Sequence, residues 1–182
     1  GQALYTTSSL VNNSAANGGG FFNLGDLTVR NATVADNSAV TGGALVAGGS
    51  ATIQYSTFVA NTPEGLAATG GAANVLGSII AGCTASGGVI ASHGYNLDTG
   101  ATCAFAQTGD LSNTDPLLGP LEQTGPDRLT WHHFPQPGSP AIDVAEATCA
   151  DANHEDQHNH SRPGGTACDM GAVEVGGALP TA

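Results

Sequence analysis

The densest group of side chains able to hold a metal or move a proton is His154-Glu155-Asp156-Gln157-His158-Asn159-His160. Imidazole nitrogens suit Zn²⁺, Ni²⁺ or Cu²⁺, which makes His154, His158 and His160 candidate ligands. His154, Glu155 and His158 also satisfy the His-Glu-x-x-His spacing, which on a helix sets two ligands on one face beside a general base. No amphipathic helical pattern surrounds them, and Pro163, Gly164 and Gly165 follow, so a solvated loop is expected. The hard oxygens of Asp110, Asp115, Asp143, Asp151, Asp156, Asp169 and Glu174 suit Ca²⁺ instead. There is neither an EF-hand loop nor a Gly-Gly-x-Gly-x-Asp repeat. The expectation is therefore no cofactor. The acidity leaves room for one structural Ca²⁺, with Asp151, Asp156 and Asp169 as its weak candidate ligands. His132 and His133, beside Trp131 and Phe134, read as packing residues.

Polysaccharide cleavage needs paired carboxylates, or a Ca²⁺ cluster beside a basic Arg or Lys. Before residue 97 the acids are Asp26, Asp36 and Glu64, at unrelated positions, with Arg30 the one basic residue and no Gly-x-Ser-x-Gly turn. No catalytic residue is expected. Four cysteines without a Cys-x-x-Cys spacing point to two disulfides in an oxidising compartment, not to zinc. Three pairings are open. Cys83–Cys103 and Cys149–Cys168 close the two nearest loops and are expected, each stabilising by roughly 3 kcal/mol in the loop-entropy account. Asn12, Asn31 and Asn159 begin N-x-[ST] sequons. Asn31, on an outward strand position, and Asn159, on a loop, are the better acceptors. Such sequons also recur by chance in a chain rich in Asn, Ser and Thr.

The elements that must position these residues come from an unusual composition. Of 182 residues 27 are Gly, and the formal net charge is −12, with no Lys. So acidic a chain is no partner for nucleic acid, which requires clustered Lys or Arg. A polybasic membrane contact is excluded on the same ground, and no apolar run is long enough for a span. The N-terminus lacks the basic-then-apolar pattern of a leader, so any signal peptide is expected to be gone already. Helical patterns of Leu, Glu and Lys are absent.

Asn13, Asn37 and Asn61 lie 24 residues apart, and Cys83 lies 22 beyond. Eight residues before each stand Tyr5, Val29, Ile53 and Val75; three before stand Leu10, Val34, Phe58 and Ile80. Five before are the small Ser8, Ala32, Ser56 and Ser78. The columns containing Arg30 and Gln54, and Asn31 and Tyr55, read as outward. A further apolar pair follows each Gly-rich turn: Gly20 and Phe22, Ala44 and Val46, Leu66 and Ala68. Alternation of period two, repeated at a fixed interval, predicts strands stacked in parallel at about 4.8 Å. The Gly clusters fall at corners. Asn13, Asn37 and Asn61 fall at another, where Asn tolerates left-handed backbone and stacked amides can bond along the axis. The spacing thus predicts a parallel β-solenoid over 1–97. Over 98–182 the period is lost and charge and Pro increase, which predicts an irregular, disulfide-linked closing segment packed on the last coil.

Val75–Gly82, Gly94-Tyr95-Asn96-Leu97 and Gly109–Leu121 resemble a family of secreted bacterial right-handed β-helix proteins. The C-terminal part of that family is called the choice-of-anchor Q domain. Pro137–Asp143 and Ala167–Glu174 resemble its ending. The chain departs from the pattern at Asp156-Gln157-His158-Asn159-His160, where the family usually has Asp-Gln-Arg-Gly. The resemblance implies an all-β, right-handed parallel β-helix, here of about four coils, and a secreted, extracellular protein of the cell surface. It implies no particular activity.

The first coil begins at Ala3 without a cap, so its edge is expected to continue a longer β-helix or to be covered by another subunit. The assembly edge would comprise Ala3, Tyr5, Ser8 and Leu10. Val173 and Val175, alternating in Val173–Leu179, would form a candidate joining strand. The expected function is a non-catalytic structural protein, a filament or surface-fibre subunit with itself as partner, built head to tail. The alternatives are an adhesin or glycan-binding stalk fragment and, third, a polysaccharide-active β-helix enzyme.

Overall fold

A computed structural model describes residues 1–123, 130–146, 148–149 and 154–178. No helix occurs among the described residues. The first rung comprises β1 (Gln2–Val11) and β2 (Phe21–Asn23), and the second β3 (Asp26–Ala35) and β4 (Leu45–Ala47). The third holds β5 (Ser50–Gln54), β6 (Thr57–Val59) and β7 (Leu66–Ala68), and the fourth β8 (Ala72–Leu76), β9 (Ile79–Ile80) and β10 (Cys83–Ala85). Beyond them lie β11 (Val89–Ser92), β12 (Leu97–Asp98) and β13 (Leu111–Ser112). All these strands pair in parallel. The result is an all-β solenoid of stacked coils in which the first to the fourth rung are separated by about three turns.

The first face stacks the leading halves of β1 and β3 on β5, β8 and β11. The second stacks their trailing halves on β6, β9, β12 and β13. The third is a four-stranded sheet, β2, β4, β7 and β10. Tyr5 pairs with Val29, Val29 with Ile53 and Ile53 with Val75, while Leu10, Val34, Phe58 and Ile80 form the parallel column. Val29, Ile53, Val75, Val34, Phe58 and Ile80 are fully buried. Each column brings the same kind of side chain onto itself, so one rung's interior packing repeats in the next.

The corners differ from the sequence-based expectation by one residue. Left-handed backbone falls on Asn12, Asp36, Ala60 and Gly82, not on Asn13, Asn37 and Asn61. The turn thereby directs the following Asn at its stacked counterpart. Asn13 Nδ2 donates to Asn37 Oδ1, and Asn37 Nδ2 to Asn61 Oδ1, each at 3.0 Å. A second column of left-handed residues, Thr7, Asn31, Tyr55, Gly77 and Tyr95, bends the chain between the first two faces. In the Gly-rich turns rungs touch by their backbones: a Cβ on Gly43 would lie 2.5 Å from the Thr62 nitrogen.

The third face is also displaced from expectation. Phe21 pairs with Leu45, Leu45 with Leu66 and Leu66 with Cys83. Phe22 faces outward, 56% exposed. Leu66 is the counterpart of Leu45, not of Ala44, and Ala68 lies opposite Ala47, not Val46. The interval of 24 from Phe21 to Leu45 falls to 21 at Leu66, while Leu27 to Ala51 remains 24 and Ala51 to Ala73 is 22. The turn after Asn61 is therefore three residues shorter than its predecessor, and the turn after β7 is one residue longer. A net period of 22 conceals both changes.

Rungs continue past residue 97, since Leu97 pairs with Ile79 and Leu111 with Leu97. The closing segment does not sit on the last coil alone. It returns along the outside of the second face as a strap. Gly171 N donates to Gly77 O, Ala172 N to Thr57 Oγ1, Thr33 Oγ1 to Gln157 Oε1, and Trp131 N to Ser9 Oγ. A second core forms under it, including Tyr55, Ile79, Leu97, Ala141 and Met170. That cover explains why Asn31 and Tyr55, expected to face outward, are buried.

Candidate functional site

Both expected disulfides are formed, Cys83–Cys103 and Cys149–Cys168. The first carries Cys103 and Phe105 into the main core beside Cys83, so this excursion plugs the solenoid interior beyond the fourth rung. The opposite end is different. Among the described residues β1 pairs with β3 alone. Tyr5, Leu10 and Phe21 pack on the core only partly buried, although their counterparts Val29, Val34 and Leu45 are wholly covered. The Tyr5 and Phe21 rings meet edge to face at 5.0 Å, burying part of the open interior. Burial raises the Tyr5 phenol above its ordinary pKa.

Ala3 is exposed, and Tyr5, Ser8 and Leu10 are half-buried. These four therefore lie on a strand that pairs on one side only among the described residues. Val173 and Val175 do not belong with them. Val173 is buried, neither residue lies in a strand, and Glu174 between them is an internal ion-pair partner. The strap uses this segment to hold itself together, which a joining strand could not do. Leu179 lies outside the described residues.

The strap is organised on Arg162, whose guanidinium is fully enclosed. Nη1 donates to Glu174 Oε2 at 2.8 Å and to Asp169 O at 2.9 Å, Nη2 to Gly171 O at 2.7 Å, and Nε to Glu155 O. The guanidinium also lies over the Tyr55 ring, 5.1 Å from its centroid. Burial pushes the Arg162 pKa down and the Glu174 and Asp169 carboxyls up, while their mutual attraction opposes each shift. One cation thus ties Glu155, Asp169, Gly171 and Glu174 of the strap to a side chain of the solenoid.

Beside this hub the predicted metal ligands separate. Asp156, His158 and His160 converge, with one potential ligand atom from each lying within 4.8 Å of the others. His154 is exposed and outside this group. Asp169 also stands apart, its two oxygens accepting N–H groups of Asp143 and Val175. Asp151 lies outside the described residues. Burial pushes the Asp156 carboxyl up. Hydrogen bonding to His158 and to the backbone N–H groups of Glu174 and His160, with the Arg162 charge, outweighs burial and holds its pKa below the ordinary value. His132, expected to be a packing residue, is wholly buried and also reaches this group, with Nδ1 3.0 Å from His158 Nε2. Desolvation lowers its pKa, with His158 contributing.

Of the sequons, Asn159 is exposed. Asn31, within β3, is 1% exposed and is no glycan acceptor in the folded chain. A groove of about 480 Å³ lies on the first face, lined by Thr52, Ile53, Gln54, Asn74, Leu76, His93 and Glu146. No described helix is long and apolar enough to cross a membrane. The chain matches no family model, no curated protein and no solved structure.

Proposed function

We propose that this chain is a non-catalytic extracellular structural protein, a solenoid subunit that lengthens by adding a rung to β1. The first rung carries the reading: among the described residues β1 pairs on one side only, beside half-covered Tyr5, Leu10 and Phe21. In a stacked ladder each strand is a template for the next, and the first four rungs carry few charges to oppose pairing. The two disulfides accord with an oxidising compartment outside the cell. A second copy is the proposed occupant of the edge, which makes the contact heterologous and propagating. Light scattering with negative-stain microscopy over a concentration series tests this. Fibres that lengthen with concentration support it; a monomer at high concentration overturns it.

The polar groove on the first face favours a second reading, a glycan-binding stalk. Gln54, Asn74 and His93 offer hydrogen-bonding groups, and Asn74 Oδ1 lies 3.1 Å from His93 Nε2. Saturable binding on a glycan array, lost on Asn74→Leu, would promote that reading.

A further inference from the structure

Backbone hydrogen bonds bring Asp156, His158 and His160 together, yet no hydrogen bond of ordinary length joins the Asp156 carboxylate to either imidazole ring. His158 Nδ1 lies 3.7 Å, and His160 Nδ1 3.8 Å, from Asp156 Oδ2. Both separations exceed a hydrogen bond. They approach the distance between neighbouring ligands of one tetrahedral ion, about 3.5 Å for bonds of roughly 2.1 Å. Two imidazoles with a carboxylate form a borderline donor set, suited to late first-row ions and not to Ca²⁺ or Mg²⁺.

The backbone holds these groups in place before any ion arrives. Asp156 Oδ1 accepts the N–H groups of His158 and His160 at 2.7 and 2.8 Å, and Asp156 N donates to His160 O. Asp156 Oδ2, the oxygen facing both rings, also accepts Glu174 N at 3.1 Å. Gln157, between the ligands, is bound to Thr33 of β3, to Trp131 O and to Ala172 O. The site is therefore clamped to the solenoid wall. His132 supplies the outer contact: its Nδ1 lies 3.0 Å from His158 Nε2 and 3.4 Å from Thr130 O. With an ion on His158 Nδ1 the proton stays on Nε2, which requires His132 Nδ1 to accept from this nearer partner and give up the longer contact to Thr130. Metal-bound histidines are commonly oriented in this way. The His160 side chain is 20% exposed, which gives an ion access.

We infer that Asp156, His158 and His160 bind one divalent cation of the zinc, nickel or copper class, with His132 orienting His158. This inference is independent of the assembly reading.

The untagged full chain, stripped with chelator, should be titrated with Zn²⁺ by calorimetry and with Co²⁺ by visible absorption. One ion per chain, a Co²⁺ spectrum of low-symmetry nitrogen and oxygen ligation, and a melting temperature raised by Zn²⁺ are expected. His160→Ala removes the most accessible ligand without opening the core and should weaken binding by about tenfold or more. His160→Gln serves the same purpose should the Ala variant not fold. His154→Ala should bind as the parent does. Three results overturn the inference: no saturable site, a folded His160 variant that binds as tightly as the parent, or equal loss in His154→Ala.

Discussion

An asparagine within a stacked column has bonds on both sides, whereas one at its end has a single neighbour. Asn37 donates to Asn61 Oδ1 and to Leu10 O, and accepts from both the N–H and the side-chain amide of Asn13. Asn13 is exposed, and among the described residues its amide donates to Asn37 Oδ1 and Val11 O. At about 1 kcal/mol net for each bond, and more where a buried partner is left unsatisfied, Asn37→Ala should cost about 2–4 kcal/mol. Asn13→Ala should cost less than about 1 kcal/mol. Denaturant melts of the two variants check this; equal losses would mean that the column adds nothing along the axis. The Asn column was legible because its residues repeat at the same interval as the apolar ones. The left-handed residue before each Asn and before Cys83 was not, since Asn12, Asp36, Ala60 and Gly82 share no chemistry, only a backbone angle.

Among the elements, the strap is the one that a repeat cannot reveal. Its register is set by single contacts far apart in sequence, such as Thr33 with Gln157 at a separation of 124 residues. No period in 98–182 encodes them. The change of composition at residue 98 did not reveal that the ladder runs on to β13, while the cysteine spacing pointed to the right pairs. Neither showed that the strap folds back along the second face, burying Asn31 and drawing Val173 inward. The same blindness separated His154 from its expected partners: three histidines in seven residues looked like one ligand set, but the tight loop closed by Asp156 Oδ1 selects only the last two. The strap's integrity rests on Arg162. Removing its side chain leaves the Glu174 carboxylate buried without its cation, a loss of about 3–5 kcal/mol. Arg162→Ala should therefore release the strap and expose Tyr55. Faster hydrogen exchange in residues 154–178, with β3 and β5 still protected, is the expected pattern. Lys at this position should not restore stability, because it cannot reproduce the four-way fork. A chain cut before residue 173 should fail in the same way, since it would lack Glu174. It would not be a folded but assembly-deficient protein.

For the molecule as a whole, the two ends of the described ladder are unequal: Cys103 and Phe105 fill one, while Tyr5 and Phe21 only partly cover the other. Addition of a rung at the open end would complete the ladder and bury Tyr5 further. Two tests follow. Asn12 N donates to Ala35 O across the existing ladder, so the N–H of Val11, one residue earlier, points away from β3. Val11→Pro removes that outward donor without breaking an existing bond, and should stop growth while leaving the monomer folded. The second test uses the Tyr5 phenol. A phenol whose folded pKa is raised is neutral by preference in the folded state. Its contribution to stability is complete below the ordinary tyrosine value of about 10 and is lost as pH rises through the raised folded value. Because assembly buries Tyr5 further, the same sign holds between assembled and free chains: alkaline solution should dissociate fibres before it unfolds the subunit. Tyrosinate absorbance should accordingly titrate at higher pH in concentrated than in dilute protein. Tyr5→Phe, which keeps the ring and removes the ionisable group, should give fibres that persist further into alkali. Were the Tyr5 titration independent of protein concentration, with Val11→Pro behaving as the parent, β1 would not be the growing edge, and the groove on the first face would become the leading site.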